Sequence, residues 1–182
     1  MLSRGLDLEK VIFSGIPQVA EILALPASAR HYLLEAGVPK YFGYRDYEAD
    51  STLSVIQVVG HSAMVRFGSD SRGIMATDTS GSVLHVSDRS QLQITFVNAT
   101  IGKFTDTARL LAERFPYGAR DWFDDAGIAA DAIEEIIGSV DTEAGVTGSY
   151  WPDFAKEVGG LMYSLDEIQQ WHRTRIVGSS GG

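Results

Sequence analysis

Catalysis in a chain of this size would need a few titratable or nucleophilic side chains at defined spacings. The candidates are few. The four histidines are His31, His61, His85 and His172, and there is no cysteine. No two histidines stand four apart, and no His-Glu-x-x-His motif exists, so a zinc site would have to gather ligands from distant parts of the chain. The absence of cysteine removes disulfides, thiolate metal sites and a thiol nucleophile. There is no Gly-x-Ser-x-Gly elbow for an activated serine. Gly68-Ser69-Asp70-Ser71-Arg72-Gly73 is bounded by glycines but lacks the Gly-Lys-Ser ending of a phosphate loop, so it reads as a β-turn. Asp124 and Asp125 are adjacent, and neighbours in sequence do not face each other on a helix, which makes them poor acid–base partners. Asp50 and Asp78 stand alone near strand ends, and Asn98-Ala99-Thr100 reads as a helix cap rather than a glycosylation acceptor. The one catalytic reading left is a small hydrolase with a site assembled from His61, Asp78 and His85. The lack of a motif favours a binding module over an enzyme, with no cofactor or metal.

Charge is the stronger signal. The formal net charge is −9, yet residues 1–105 carry only −1 and residues 106–170 carry −10. The density peaks at Asp121, Asp124, Asp125, Asp131, Glu134, Glu135, Asp141 and Glu143. Phosphate backbones repel such a surface, so nucleic acid is disfavoured as a direct partner. A basic protein would be drawn to it, chiefly through its association rate. The plainer reading is a solvated helix face. Trp122, Phe123, Tyr150 and Trp151 flank the cluster. Trp151 suits a core position, whereas Trp122 suits a core and an interface anchor about equally.

These residues sit in a chain of 182 residues, 45% apolar and 21% charged, which is an ordinary globular composition and fits one domain over residues 1–176. Residues 177–182 end in Gly-Ser-Ser-Gly-Gly and read as a flexible tail. No apolar run approaches the roughly 20 residues of a membrane span, and no long apolar core follows Arg4, so the expectation is a cytoplasmic protein.

The periodicities predict a helix from Pro17 with Val19, Ile22 and Leu23 on one face, then a second over 29–36 capped by Ser28. Leu33 and Leu34 would face the core, and Gly37 would end the helix. Strands are predicted over 52–60, 63–68, 73–77, 83–86 and 92–97, with Asp78-Thr79-Ser80-Gly81-Ser82 as a hairpin turn. The period then changes. Ile101, Phe104, Ala108, Leu111 and Phe115 predict a helix over 100–115. Further helices are predicted over 128–140, 149–158 and 165–171. Strands grouped between helices indicate an α+β fold with a mostly antiparallel sheet of about five to six strands.

Four blocks in this order resemble the SUKH superfamily, and within it the fourth branch of bacterial immunity proteins. Leu25-Pro26, Arg30, Leu33-Leu34 and Gly37-Val38-Pro39-Lys40 resemble the family's opening helix and its Gly-Leu-Pro turn. Val58-Val59-Gly60, Gly73-Ile74 and Asp78 with Ser80-Gly81-Ser82-Val83 resemble its strand and hairpin. Phe96-Val97-Asn98-Ala99-Thr100 followed by Phe104 resembles its Phe-Val-Asn-Ser-Ser strand-to-helix junction. Asp141, Trp151 and Glu157 resemble its terminal helices. The departures, Val38, Ala99-Thr100 and Thr79-Ser80, are conservative.

The resemblance spans 25–165 and implies an α+β scaffold that binds and neutralises a toxin domain, often a nuclease or nucleic-acid deaminase, in bacterial polymorphic toxin systems. It says nothing of the contact surface, because these motifs hold the scaffold together. The expected surface, taken from charge beside an aromatic, is Asp121, Trp122, Asp124, Asp125, Glu134, Glu135, Asp141 and Glu143. The expected partner is a cognate toxin of basic character, with no nucleic acid and no membrane. The alternative is an intracellular adaptor of the same fold.

Overall fold

A computed structural model describes residues 9–14, 20–42, 47–87, 92–114 and 126–159. The sequence-predicted helix over 165–171 and the tail over 177–182 lie outside them. The N-terminal part holds β1 (Lys10–Val11), α1 (Ala20–Leu23), α2 (Ala27–His31), a π-helical turn (Tyr32–Ala36) and β2 (Val38–Pro39). The sheet follows as β3 (Tyr41–Phe42), β4 (Tyr47–Ile56), β5 (Met64–Asp70), β6 (Gly73–Thr77), β7 (Val83–Ser87) and β8 (Gln93–Asn98). Three longer helices close the described chain: α3 (Ile101–Arg114), α4 (Ala126–Val140) and α5 (Tyr150–Gly159). Strands β3 to β8 form a six-stranded antiparallel meander in sequence order, and β1 pairs with β2 in a separate two-stranded sheet. Strands grouped between helices give the α+β class.

The hairpin between β6 and β7 shows why the local sequence folds as it does. Asp78 Oδ1 accepts hydrogen bonds from Ser80 N at 2.9 Å, Ser80 Oγ at 2.6 Å and Ser82 N at 3.0 Å. Gly81 takes φ of 88°, a conformation that costs glycine least. Asp78 is therefore a turn residue, and its carboxylate is not available to a hydrolytic site with His61 and His85. His61 is exposed at the turn after β4, and His85 is buried inside the sheet, on Asp70. The structure does not assemble the three.

Several expectations shift at element ends. The strand predicted over 52–60 instead runs from Tyr47 to Ile56. Val59 is 94% exposed, and Gly60, with φ of 83°, turns the chain. The early part of the strand was hidden because Glu48, Asp50 and Ser51 are polar, although Glu48 pairs with Tyr41 of β3 and Ser69 of β5; Asp50 and Ser51 lie in the register shift between Ala49 and Ser54. Ser28 does not cap α2. The helix starts two residues earlier, after Pro26, whose φ of −54° suits a helix entrance, and no side-chain cap is made. In α1, Ile22 is buried but Leu23 is 61% exposed, since a single turn of helix offers only a narrow stripe to the core. Leu33 is fully buried and Leu34 packs against the core, as the spacing predicts. Phe115 lies outside the described residues.

The main core lies between one face of the sheet and helices α3 to α5. Its centre is aromatic. Phe104 on α3 meets Tyr47 at 5.4 Å, Phe67 at 5.8 Å and Trp151 at 6.5 Å between ring centroids. Trp151 in turn meets Phe154 at 5.9 Å and Tyr150 at 5.1 Å. Trp151 is thus a core residue, buried completely. Its geometry with Phe154 and Tyr150 is edge-to-face, which the ring quadrupoles favour. A smaller apolar cluster of Val58, Met64, Ala76 and Val86 forms separately from this core.

Candidate functional site

Helices α3 and α4 pack side by side and leave a cleft of about 420 Å³ between them. One wall is Leu110, Glu113 and Arg114 of α3; the other is Ala132, Glu135, Ile136 and Ser139 of α4. The spacing of three and four along each helix places each set on one face. Leu110, Ala132 and Ile136 are half-buried and form the apolar part of the lining, and the last two pack against the core. The charged side chains stand exposed at the margins.

The two walls differ electrically. On α3, Arg109 Nη1 donates to Glu113 Oε1 at 2.7 Å and its Nε lies 3.9 Å from Asp106, so acid and base largely balance. On α4, Asp131, Glu134 and Glu135 are exposed and have no ion-pair partner among the described residues. Glu143, beyond the end of α4, is exposed as well.

The sequence-predicted surface therefore divides. Glu134 and Glu135 share the outer side of α4, and Glu143 is accessible. Asp121, Trp122, Asp124 and Asp125 lie outside the described residues. Asp141 does not belong to an exposed surface: it is 1% exposed and its carboxylate is engaged within the protein. Oδ2 accepts from Ala99 N at 2.7 Å and Asn98 Nδ2 at 3.3 Å, and Oδ1 from Lys103 Nζ at 3.0 Å. Asn98 Oδ1 accepts from Trp151 Nε1 at 3.0 Å. One network thus ties the end of β8, the start of α3, the end of α4 and α5. The cleft residues Leu110, Glu113, Arg114, Ala132 and Ser139 were not singled out in the sequence, and Ile136 was read only as part of the apolar face of its helix. Their signal is only the i, i+3, i+4 spacing on two helices, which does not say that those two helices are neighbours.

Burial alone would raise the pKa of Asp141. The bonds from Ala99, Lys103 and Asn98 outweigh it and hold the carboxyl below its ordinary value. A depressed folded-state pKa contributes stability above the unfolded value of about 4, and that contribution is lost as pH falls through the folded pKa. The urea midpoint is therefore expected to drop between about pH 5 and pH 3, with a shallower fall in Asp141→Asn. Equal acid slopes in the two proteins would contradict this.

A second buried polar group lies where β5, β6, β7 and α5 meet. Asp70 Oδ1 accepts from Arg72 N and Gly73 N, both at 2.8 Å, and from His85 Nε2 at 3.0 Å. Asp70 Oδ2 accepts from Tyr150 OH at 3.0 Å. An ionised carboxylate only accepts, so His85 Nε2 carries a proton. Burial opposes the charge of Asp70, but the bonds from His85, Arg72 and Tyr150 keep its pKa below the ordinary value. Arg72 also pairs with Glu157. A nucleophile–base pair must be reachable by a substrate, whereas here His85 and the Asp70 side chain are almost wholly enclosed. The group fastens α5 to the sheet.

Among the described residues no three His, Asp or Glu side chains gather closely enough to hold a metal ion. Among those residues, too, no helix is long and apolar enough to cross a membrane. No curated protein and no solved structure matches the chain. The family model described as SUKH-4 immunity protein matches residues 15–157, most of the chain, and the chain therefore belongs to that family, whose immunity function implies a toxin partner.

Proposed function

We propose that this chain neutralises a cognate bacterial toxin domain by binding it in the cytoplasm, without chemistry of its own, and that the toxin is a basic protein acting on nucleic acid. The observation that supports this most is the outer face of α4, where Asp131, Glu134 and Glu135 stand exposed with no described cation beside them. A basic nucleic-acid enzyme presents a cationic groove for phosphate, and an acidic inhibitor competes for it electrostatically. Family membership supports the toxin partner. Glu143 and the acidic stretch with Asp121, Trp122, Asp124 and Asp125 extend the proposed surface along the sequence.

The test is affinity capture from lysate of the source organism at low and high salt, followed by co-expression of the captured partner with this chain. The expected partner is one basic protein that halts growth alone and is harmless when co-expressed. Double charge reversal, Glu134→Lys with Glu135→Lys, is expected to weaken that complex about tenfold and flatten its salt dependence, mainly by slowing association. Unchanged affinity would remove α4 from the interface. A captured regulator with no toxic activity would favour an adaptor role instead.

A further inference from the structure

The α3–α4 cleft combines three features that bear on how a partner would be held. Its floor is apolar, through Leu110, Ala132 and Ile136. On its α3 wall Glu113 is paired with Arg109, which leaves Arg114, while its α4 wall carries the bare carboxylate of Glu135, with Asp131 and Glu134 exposed on the same helix outside the lining. Its lining on α4 runs only from Ala132 to Ser139, about 10 Å or two helical turns at 1.5 Å per residue.

We infer that this cleft seats about two turns of a cationic amphipathic helix from the toxin. This deepens the proposed function and rests on it. The apolar stripe of the occupant lies on the floor, as in helix-in-groove recognition. Its Lys or Arg side chains lean toward Glu135 on the α4 wall, and toward exposed Glu134 outside the lining, and an acidic residue on the opposite side meets Arg114. Charge complementarity fixes the orientation, because the bare carboxylate of Glu135 lies on one wall and Arg114 on the other. The acidic surface then steers association, and the floor supplies the anchor that slows dissociation.

The assignment makes periodicity matter, and not charge alone. The probe is a blocked peptide of about 14 residues of Lys, Leu and Ala with Leu at every third and fourth position. A scrambled isomer of equal charge serves as the control. Amide shifts of the isotope-labelled full chain are followed during titration with each. The periodic peptide is expected to bind at least about tenfold more tightly than the isomer, with the largest shifts at Leu110, Ala132 and Ile136. Ser139→Trp at its exposed end should remove that preference in a protein of unchanged thermal stability, and Ala132→Trp, which fills the cleft, should remove it as well. Equal binding of the two peptides, shifts centred elsewhere, or a cleft-dependent dimer of the chain in sedimentation would each overturn the inference.

Co-expression separates this outcome from the broader reading. If Ala132→Trp still protects cells from the captured toxin, the cleft is not the seat, although the immunity function stands. If the cleft prefers the periodic peptide but the chain suppresses no toxin, the toxin assignment fails on its own.

Discussion

Asp141→Ala is expected to destabilise the protein by about 2–4 kcal/mol, measured by urea unfolding near neutral pH. The substitution strands Ala99 N and the Asn98 amide in the interior, and Asn98 also holds the Trp151 indole. Unpaired buried donors carry the larger share of the loss. The Lys103 side chain is 41% exposed and its ammonium returns to water, so its ion pair contributes little. The variant also separates two roles for one acidic residue. If Asp141 served the partner surface, its removal would weaken binding and leave the fold intact. The structure requires the reverse, in contrast to the charge reversal at Glu134 and Glu135, whose exposed side chains touch no structural partner among the described residues. A loss below about 1 kcal/mol in Asp141→Ala would refute the network's structural role.

Asp70→Ala is expected to cost about 3–5 kcal/mol, because each buried donor left without its charged acceptor carries a penalty of about 1–3 kcal/mol, partly recovered by relaxation. Four donors lose their acceptor: the Arg72 and Gly73 amides in the β5–β6 turn, His85 on β7, and the Tyr150 hydroxyl at the start of α5. No rearrangement of the turn readily substitutes, because Gly73 is closely confined. A Cβ there would sit 2.3 Å from Val86 O and 2.9 Å from His85 Nε2. For a chain of this length the melting temperature should fall by roughly 6–20 °C, at about 2–4 °C per kcal/mol. Asp70→Asn should cost less, since its amide oxygen still accepts while its NH₂ opposes at least one donor. Equal losses in the two variants would show that the acceptor count does not control this site.

The long elements were legible in the sequence because their physics is local. The stripe of Ile101, Phe104, Ala108 and Leu111 specifies α3, and Ile133, Ile136 and Ile137 do the same for α4. The β6–β7 hairpin follows from Asp78 and Gly81, whose hydrogen bonds and φ stay within five residues. Local pattern was weaker where pairing came from distant backbone. It gave no sign of β1 with β2, or of the polar first half of β4. It also placed a cap at Ser28 where the helix begins after Pro26.

For the candidate site, the order of residues already places the charge excess in the C-terminal part and an acidic side on α4. It pointed to the family as well, through the blocks around Asn98, Asp141 and Trp151 that resemble it in order, and the family model matches residues 15–157. What those blocks do follows from packing across the chain. Asn98 and Asp141 are 43 positions apart, and Asn98 and Trp151 are 53 apart. No sequence pattern distinguishes an aspartate that meets solvent from one that accepts three hydrogen bonds inside the protein. Charge is a property of each residue and survives in a list of letters. Burial, and the cleft between α3 and α4, depend on which surfaces the packing of helices on the sheet brings together.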